Sequence, residues 1–239
     1  DKIDELCFLT VSGRAYTLKV DGTTRTGSQL PSLSFAADVV AASTNRIVHA
    51  GSATSEATIT TSDKMSWETI VKSRTTAEEK RLRPIRDGGK NYYVMVMHSR
   101  QRRDLVLDPT YQTIVKAAEA RSSKNPLFTG AMAVVDGVVL YSHQKVFSTS
   151  GLASGSRWGS GSTVHGAQAL MLGAQALGLA LIGNVFMREA DKTDYQNRPG
   201  LAVGRKFGLL KPQFNSIYET SQTTAEDFGV ISVKTAAAA

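Results

Sequence analysis

The period of the apolar positions changes several times along the chain, and each change marks an element. Near the start, Ile3, Leu6, Cys7 and Val11 recur at the spacing of one helical face, and Gly13 supplies a stop. No N-cap precedes that face, so the segment reads as the last turns of a longer helix, and the chain is expected to be the C-terminal portion of its subunit. From Arg14 to Thr61 the sequence is rich in Thr, Ser, Ala and Gly, and the runs Ala15 to Val20 and Ala57 to Thr61 predict short strands between loops. Ser62 as N-cap, Asp63 in the first turn, and Trp67, Ile70 and Val71 on one face predict a helix ending near Arg74.

Gly88 and Gly89 predict a turn, and Tyr92 to Met97 is apolar at every position, as in an internal strand covered on both faces. Asp108 and Pro109 form an N-cap and N1 pair ahead of Tyr111, Ile114, Val115 and Ala118, which are spaced i, i+3, i+4, i+7. By local rules Asp136 and Gly137 make the two-residue turn of a hairpin within Val134 to Leu140. Ser148 to Gly166 has the Gly/Ser composition of a mobile loop. The word GAQAL then occurs at Gly166 to Leu170 and again at Gly173 to Leu177, too few copies for a solenoid. Phe186 to Phe214 reads as extended segments, and Phe228 to Val233 as a closing strand.

Composition narrows the class. With 239 residues, 41% of them hydrophobic and 21% charged, the chain has ordinary globular usage, which excludes collagen and a disordered tail. Its single cysteine, Cys7, excludes an internal disulfide, so an intracellular place of assembly is expected. The nearest candidate for a membrane helix, Ala167 to Ile182, is broken by Gln168, Gly173, Gln175 and Gly178, so a soluble protein is expected.

The net charge of +7 is concentrated, for Lys72 to Arg103 holds ten basic residues against three acidic ones. Arg81, Arg83, Arg86, Arg100, Arg102 and Arg103 are therefore the candidate residues for subunit contact or for facing DNA. Clustered cations release counterions from phosphates, but they also form solvated faces that pair with acids on the same chain or on a neighbouring subunit. No aromatic residues alternate with the charges as a single-strand platform requires.

Candidate chemistry is sparse. His49, His98, His143 and His165 fit no zinc pattern, although His98 and His143 both follow predicted strands and could meet. No phosphate-binding or nucleophile-elbow string occurs, Cys7 reads as an inert helix-face thiol, and the adjacent Glu78 and Glu79 diverge on a helix. No catalytic, cofactor-binding or metal-binding residue is expected, nor any cofactor.

Several strings in order resemble one family. Leu82 to Pro109 (LRPIRDGGKNYYVMVMHSRQRRDLVLDP), Asn125 to His143 (NPLFTGAMAVVDGVVLYSH), Ala169 to Leu177 (ALMLGAQAL), Lys206 to Phe214 (KFGLLKPQF) and Asp227 to Ala237 (DFGVISVKTAA) are similar to the major capsid protein of tailed phages of the short-tailed coliphage type. The resemblance implies an α+β Hong Kong 97-type capsid fold, with the family's N-terminal arm and extended loop absent from this chain. Residues 1–61 would begin a peripheral domain with the end of a spine helix, 62–183 would form an axial domain carrying the helix from Pro109 to Arg121, and 184–239 would return to the peripheral domain. Thr129 to Val135 would be a short turn or helix, leaving only Val138 to His143 as a sheet strand. We follow that implication over the local hairpin signal.

The function implied is a shell-forming subunit, not an enzyme. Copies in pentamers and hexamers would enclose packaged double-stranded DNA without sequence specificity, with portal, scaffolding or cement proteins as further partners and no membrane. Assembly would occur in the host cytoplasm and the product would be the virion capsid. The alternative is a basic, non-specific nucleic-acid-binding module using the Lys72 to Arg103 window.

Overall fold

The computed structural model describes residues 2–26, 39–119, 133–193, 198–215 and 225–237. In chain order the elements are α1 (Lys2–Ser12), β1 (Ile47–His49), α2 (Trp67–Glu79), β2 (Ile85–Asp87), β3 (Lys90–Met97), α3 (Ser99–Val106), α4 (Pro109–Glu119), β4 (Ala133–Val135), β5 (Val138–Ser142), β6 (Gly166–Leu172), β7 (Gly178–Thr193), β8 (Arg198–Leu210), β9 (Gln213–Asn215), β10 (Ala225–Asp227) and β11 (Val230–Ala236). The fold is α+β.

One mixed sheet runs in the order β1, β11, β6, β3, β5, β4, with β2 hairpinned onto β3. The pairs β1 with β11 and β3 with β5 are parallel, and the others antiparallel. Tyr93, Met95 and Met97 of β3 meet Ile70 and Ala77 of α2, Leu105 of α3 and Tyr111 of α4 in the main core. On the other face, Leu170 and Val230 pack against Val11 of α1, while Leu6 and Leu9 meet Tyr16, Phe147 and Trp158. Helices thus cover both faces of β6 and β11, which are buried along almost their whole length. Among the described residues no helix is long and apolar enough to cross a membrane.

Several expectations need correction. In α1, Leu6 and Val11 are buried as expected, but Leu9 and Thr10 complete that face while Ile3 and Cys7 are only half-buried; Gly13, at φ +69, ends the helix as expected. Ala15 to Val20 contributes only an isolated bridge, Leu18 to Thr24, and Ala57 and Thr58 lie in a 3-10 turn (Glu56–Thr58), so neither run is a strand. The cap of α2 is Ser66, whose hydroxyl accepts from Thr69 N at 3.3 Å, and the helix continues to Glu79. Ser62 and Asp63 close a preceding turn instead, where Asp63 accepts from Thr60 N at 2.8 Å.

The largest correction concerns residues 133–142. Val134 pairs antiparallel with Val139, and Asp136 and Gly137 both have positive φ, 47° and 74°. This is a two-residue type I′ hairpin, so the local signal prevails over the turn or helix that the resemblance implied. Residues 129–132 and the Arg121 end of α4 lie outside the described residues. β3 is internal as expected, but only alternate side chains are fully buried. Asp108 caps α4 through Thr110 N at 3.1 Å. The Gly/Ser segment is a loop folded on itself, with Trp158 buried and paired to Val164; Trp158 lies against Gly166, where a Cβ would have no room. β7 begins at Gly178, so the expected 183/184 division falls inside that strand.

Candidate interaction surface

The long antiparallel pair of β7 and β8 is the part of the molecule least explained by its own core. Phe207 and Leu209 pack at its root against the cluster that contains Leu6 and Leu9 of α1. The register pairs Leu179 with Leu209, Leu181 with Phe207 and Met187 with Val203, and directly opposed residues share a face. Further from the root that face is uncovered: Met187 is 63% exposed, Val203 64% and Leu201 61%. On the opposite face Ile182 is 66% exposed, while Phe186 lies over Gly204. Contiguous exposed apolar area of this kind marks a contact surface.

A buried ionic junction fixes the root. Lys211 follows directly after β8, and its Nζ lies 2.9 Å from Asp227 and donates to Ala41 O at 3.2 Å. Asp227 also accepts from Ser43 N and from Gln213 Nε2, each at 3.1 Å. Burial draws Lys211 below the ordinary lysine pKa, opposed by the Asp227 carboxylate. Beside it Arg46, 1% exposed, meets Glu226 at 3.4 Å and donates to Lys80 O at 2.8 Å. A third group, Arg14 with Glu56 and Lys234, joins α1 to β11. None of these pairs has a local sequence signal, since Arg46 and Glu226 are 180 residues apart.

The structure divides the basic window. Arg86 is exposed in β2 beside the turn to β3, and Arg81 and Arg83 are exposed ahead of that strand, with Arg83 donating to Gln175 at 3.4 Å. Arg100, Arg102 and Arg103 lie on α3, which follows the C-terminal end of β3. Arg103 pairs with Asp104 at 3.2 Å, Arg102 is exposed and Arg100 is half-buried. Within the window Arg74 is committed to Glu78 and to the Tyr93 ring.

His98 and His143 do not form a site. His98 caps α3, its Nδ1 accepting from Arg100 N at 3.3 Å, and burial followed by the Arg100 charge holds its pKa below the ordinary histidine value. His143 stacks on Phe8 with ring centroids 4.8 Å apart. Burial first, then Asp4, raises the Cys7 thiol. An open cleft between α2 and α4 carries Lys64, Glu68, Lys72, Asp104 and Asp108, but Asp108 is engaged by Trp67 N at 2.7 Å. Among the described residues no group of three or more His, Cys, Asp or Glu could hold a metal.

The architecture is thus a helix-backed mixed sheet with a long, apolar, partly uncovered two-stranded arm. The family model described as phage capsid protein matches residues 19–239. The chain is similar to the major capsid protein of Pseudomonas phage KPP25, with 39% identity over 99% of this chain and 64% of that protein. It superposes on the capsid of Ralstonia phage GP4 with a TM-score of 0.75 and 26% identity, over 100% of this chain and 64% of that one. For the Cyanophage Pam1 capsid asymmetric unit the TM-score is 0.65 at 19% identity, over 99% of this chain and 65% of that one. The chain belongs to the phage capsid protein family, a structural family and not one of enzymes. Its fold is that of Hong Kong 97-type capsid subunits, and it spans about 64% of the length of the curated relative it matches.

Proposed function

We propose that many copies of this subunit assemble into the icosahedral head of a tailed phage, around packaged double-stranded DNA. The observation that carries this reading is the β7–β8 arm, whose apolar faces are too exposed for a free monomer and suited to burial between subunits. Residues 62–183 serve as the axial part and residues 1–61 with 184–239 as the peripheral part; the main sheet is shared, since β1 and β11 come from the peripheral segments. Pentamers and hexamers are the building units, assembled in the host cytoplasm with portal, scaffolding or cement proteins. The exposed arginines of the Lys72 to Arg103 window serve subunit contacts or face DNA.

Sedimentation velocity of the full-length gene product, combined with labelled duplexes, tests this against a basic binding module. The expected result is pentamers, hexamers or larger particles, with weak DNA contact that falls with salt and is indifferent to sequence. A small species with about 10³-fold preference for one DNA site would contradict it.

A further inference from the structure

Two arginines and a histidine gather where the Gly/Ser loop meets the main sheet. Trp158 and Val164 exchange both backbone bonds across the neck of the loop, at 3.1 and 2.9 Å, and Arg157 and His165 stand one step outside that pair. The first turn of α3 is tied to the same place, because Gln101 Nε2 donates to Ala167 O at 3.1 Å and to Thr235 Oγ1 at 2.9 Å. Arg100 is the residue before Gln101. Burial first, then the Arg157 and Arg100 charges, hold the His165 imidazole below the ordinary histidine pKa.

The cluster lacks an anion. Neither Arg100 nor Arg157 has an acidic partner among the described residues, in contrast to Arg14, Arg46, Arg74 and Arg103. Arg157 uses Nε on Leu152 O at 2.8 Å. Nη1 of Arg100 and Nδ1 of His165 are buried with no hydrogen-bond partner. Two guanidinium charges beside unmatched buried polar atoms disfavour the free state and favour any state in which an oxyanion enters.

We propose that Arg100, Arg157 and His165 form a receiving site for an oxyanion, filled in the assembled protein by a carboxylate from a second copy of this chain. The site rests on this chain's own geometry; only its occupant rests on the shell reading. A guanidinium fork matches the two oxygens of a carboxylate. All three side chains are only partly exposed, which suits a single inserted side chain better than a phosphate backbone tracking along exposed cations. The chain has the acids to offer, since Glu68, Glu79 and Asp87 are exposed.

The test uses the full-length gene product with labelled histidine. Sulfate and acetate should shift the His165 imidazole resonances where chloride of equal ionic strength does not, and Arg100→Gln with Arg157→Gln should abolish the shift. The same double variant should keep the wild-type circular dichroism but lose about 10-fold in particle yield, with DNA retention unchanged. Arg100→Lys should recover only part of that yield. No resonance shift in the wild type overturns the site, whether or not particles form. A shift with normal particle yield means an adventitious ion only and overturns the occupant. Lost DNA retention with normal assembly assigns the site to nucleic acid and also overturns it. A wild type that binds sulfate but forms no particles contradicts the shell reading and the occupant, and leaves the oxyanion site supported.

Discussion

The side chains that hold this subunit in register are charges buried far apart in sequence. Lys211 and Asp227 are 3% and 1% exposed, so removing one charge strands the other. Asp227→Asn should cost about 3–5 kcal/mol in urea unfolding, and adding Lys211→Met should restore much of it. A loss below about 0.5 kcal/mol would show the pair to be inert. Glu56 adds a pH dependence. Burial raises its pKa, but Arg14 and Lys234 outweigh burial and hold it below the ordinary 4.5. The folded state binds this proton less readily than the unfolded chain, so the stabilisation is complete above 4.5 and is lost as pH falls through the lower folded value. Glu56→Gln should therefore unfold at lower urea than wild type near about pH 7, with the gap closing near about pH 3; a gap constant across that range would contradict the assignment.

At the scale of elements, the β7–β8 arm carries the clearest consequence. Met187 and Val203 are paired across the arm and belong to none of the core clusters, so Met187→Asp with Val203→Asp should leave the core intact and cost only about 1 kcal/mol from the two directly opposed carboxylates. The same variant should fail to assemble, as read by light scattering; unimpaired particles would remove the arm from the contact surface. The arm was legible in the sequence as extended chain from Phe186, but its start at Gly178 was not, because the second GAQAL word resembles the first, which forms β6. α4 and β3 were legible because their apolar positions keep one period. α3 was not, since Ser99 to Val106 carries one dominant buried apolar residue, Leu105, and is held by the His98 cap and by Gln101 reaching the sheet. The Asp136–Gly137 hairpin was legible by local turn chemistry alone, and the family resemblance led away from it. The ionic junctions were out of reach, because partners such as Arg46 and Glu226 lie 180 residues apart in the chain.

At the scale of the whole molecule, β1 and β11 from the two ends of the fold lie side by side at one edge of a sheet whose other strands come from the centre of the sequence. The root of the arm is tied through Lys211 and Asp227 to the backbone of Ala41 and Ser43, on the segment that leads to β1. Net charge of +7 with a divided basic surface fits a subunit whose positive groups face several neighbours, or DNA on one side, better than a single nucleic-acid groove. The most direct measurement is negative-stain electron microscopy of the purified full-length gene product at rising concentration. Closed shells of uniform diameter, absent from the Met187→Asp, Val203→Asp variant, are the predicted result. A wild-type protein that stays monomeric throughout would contradict the account.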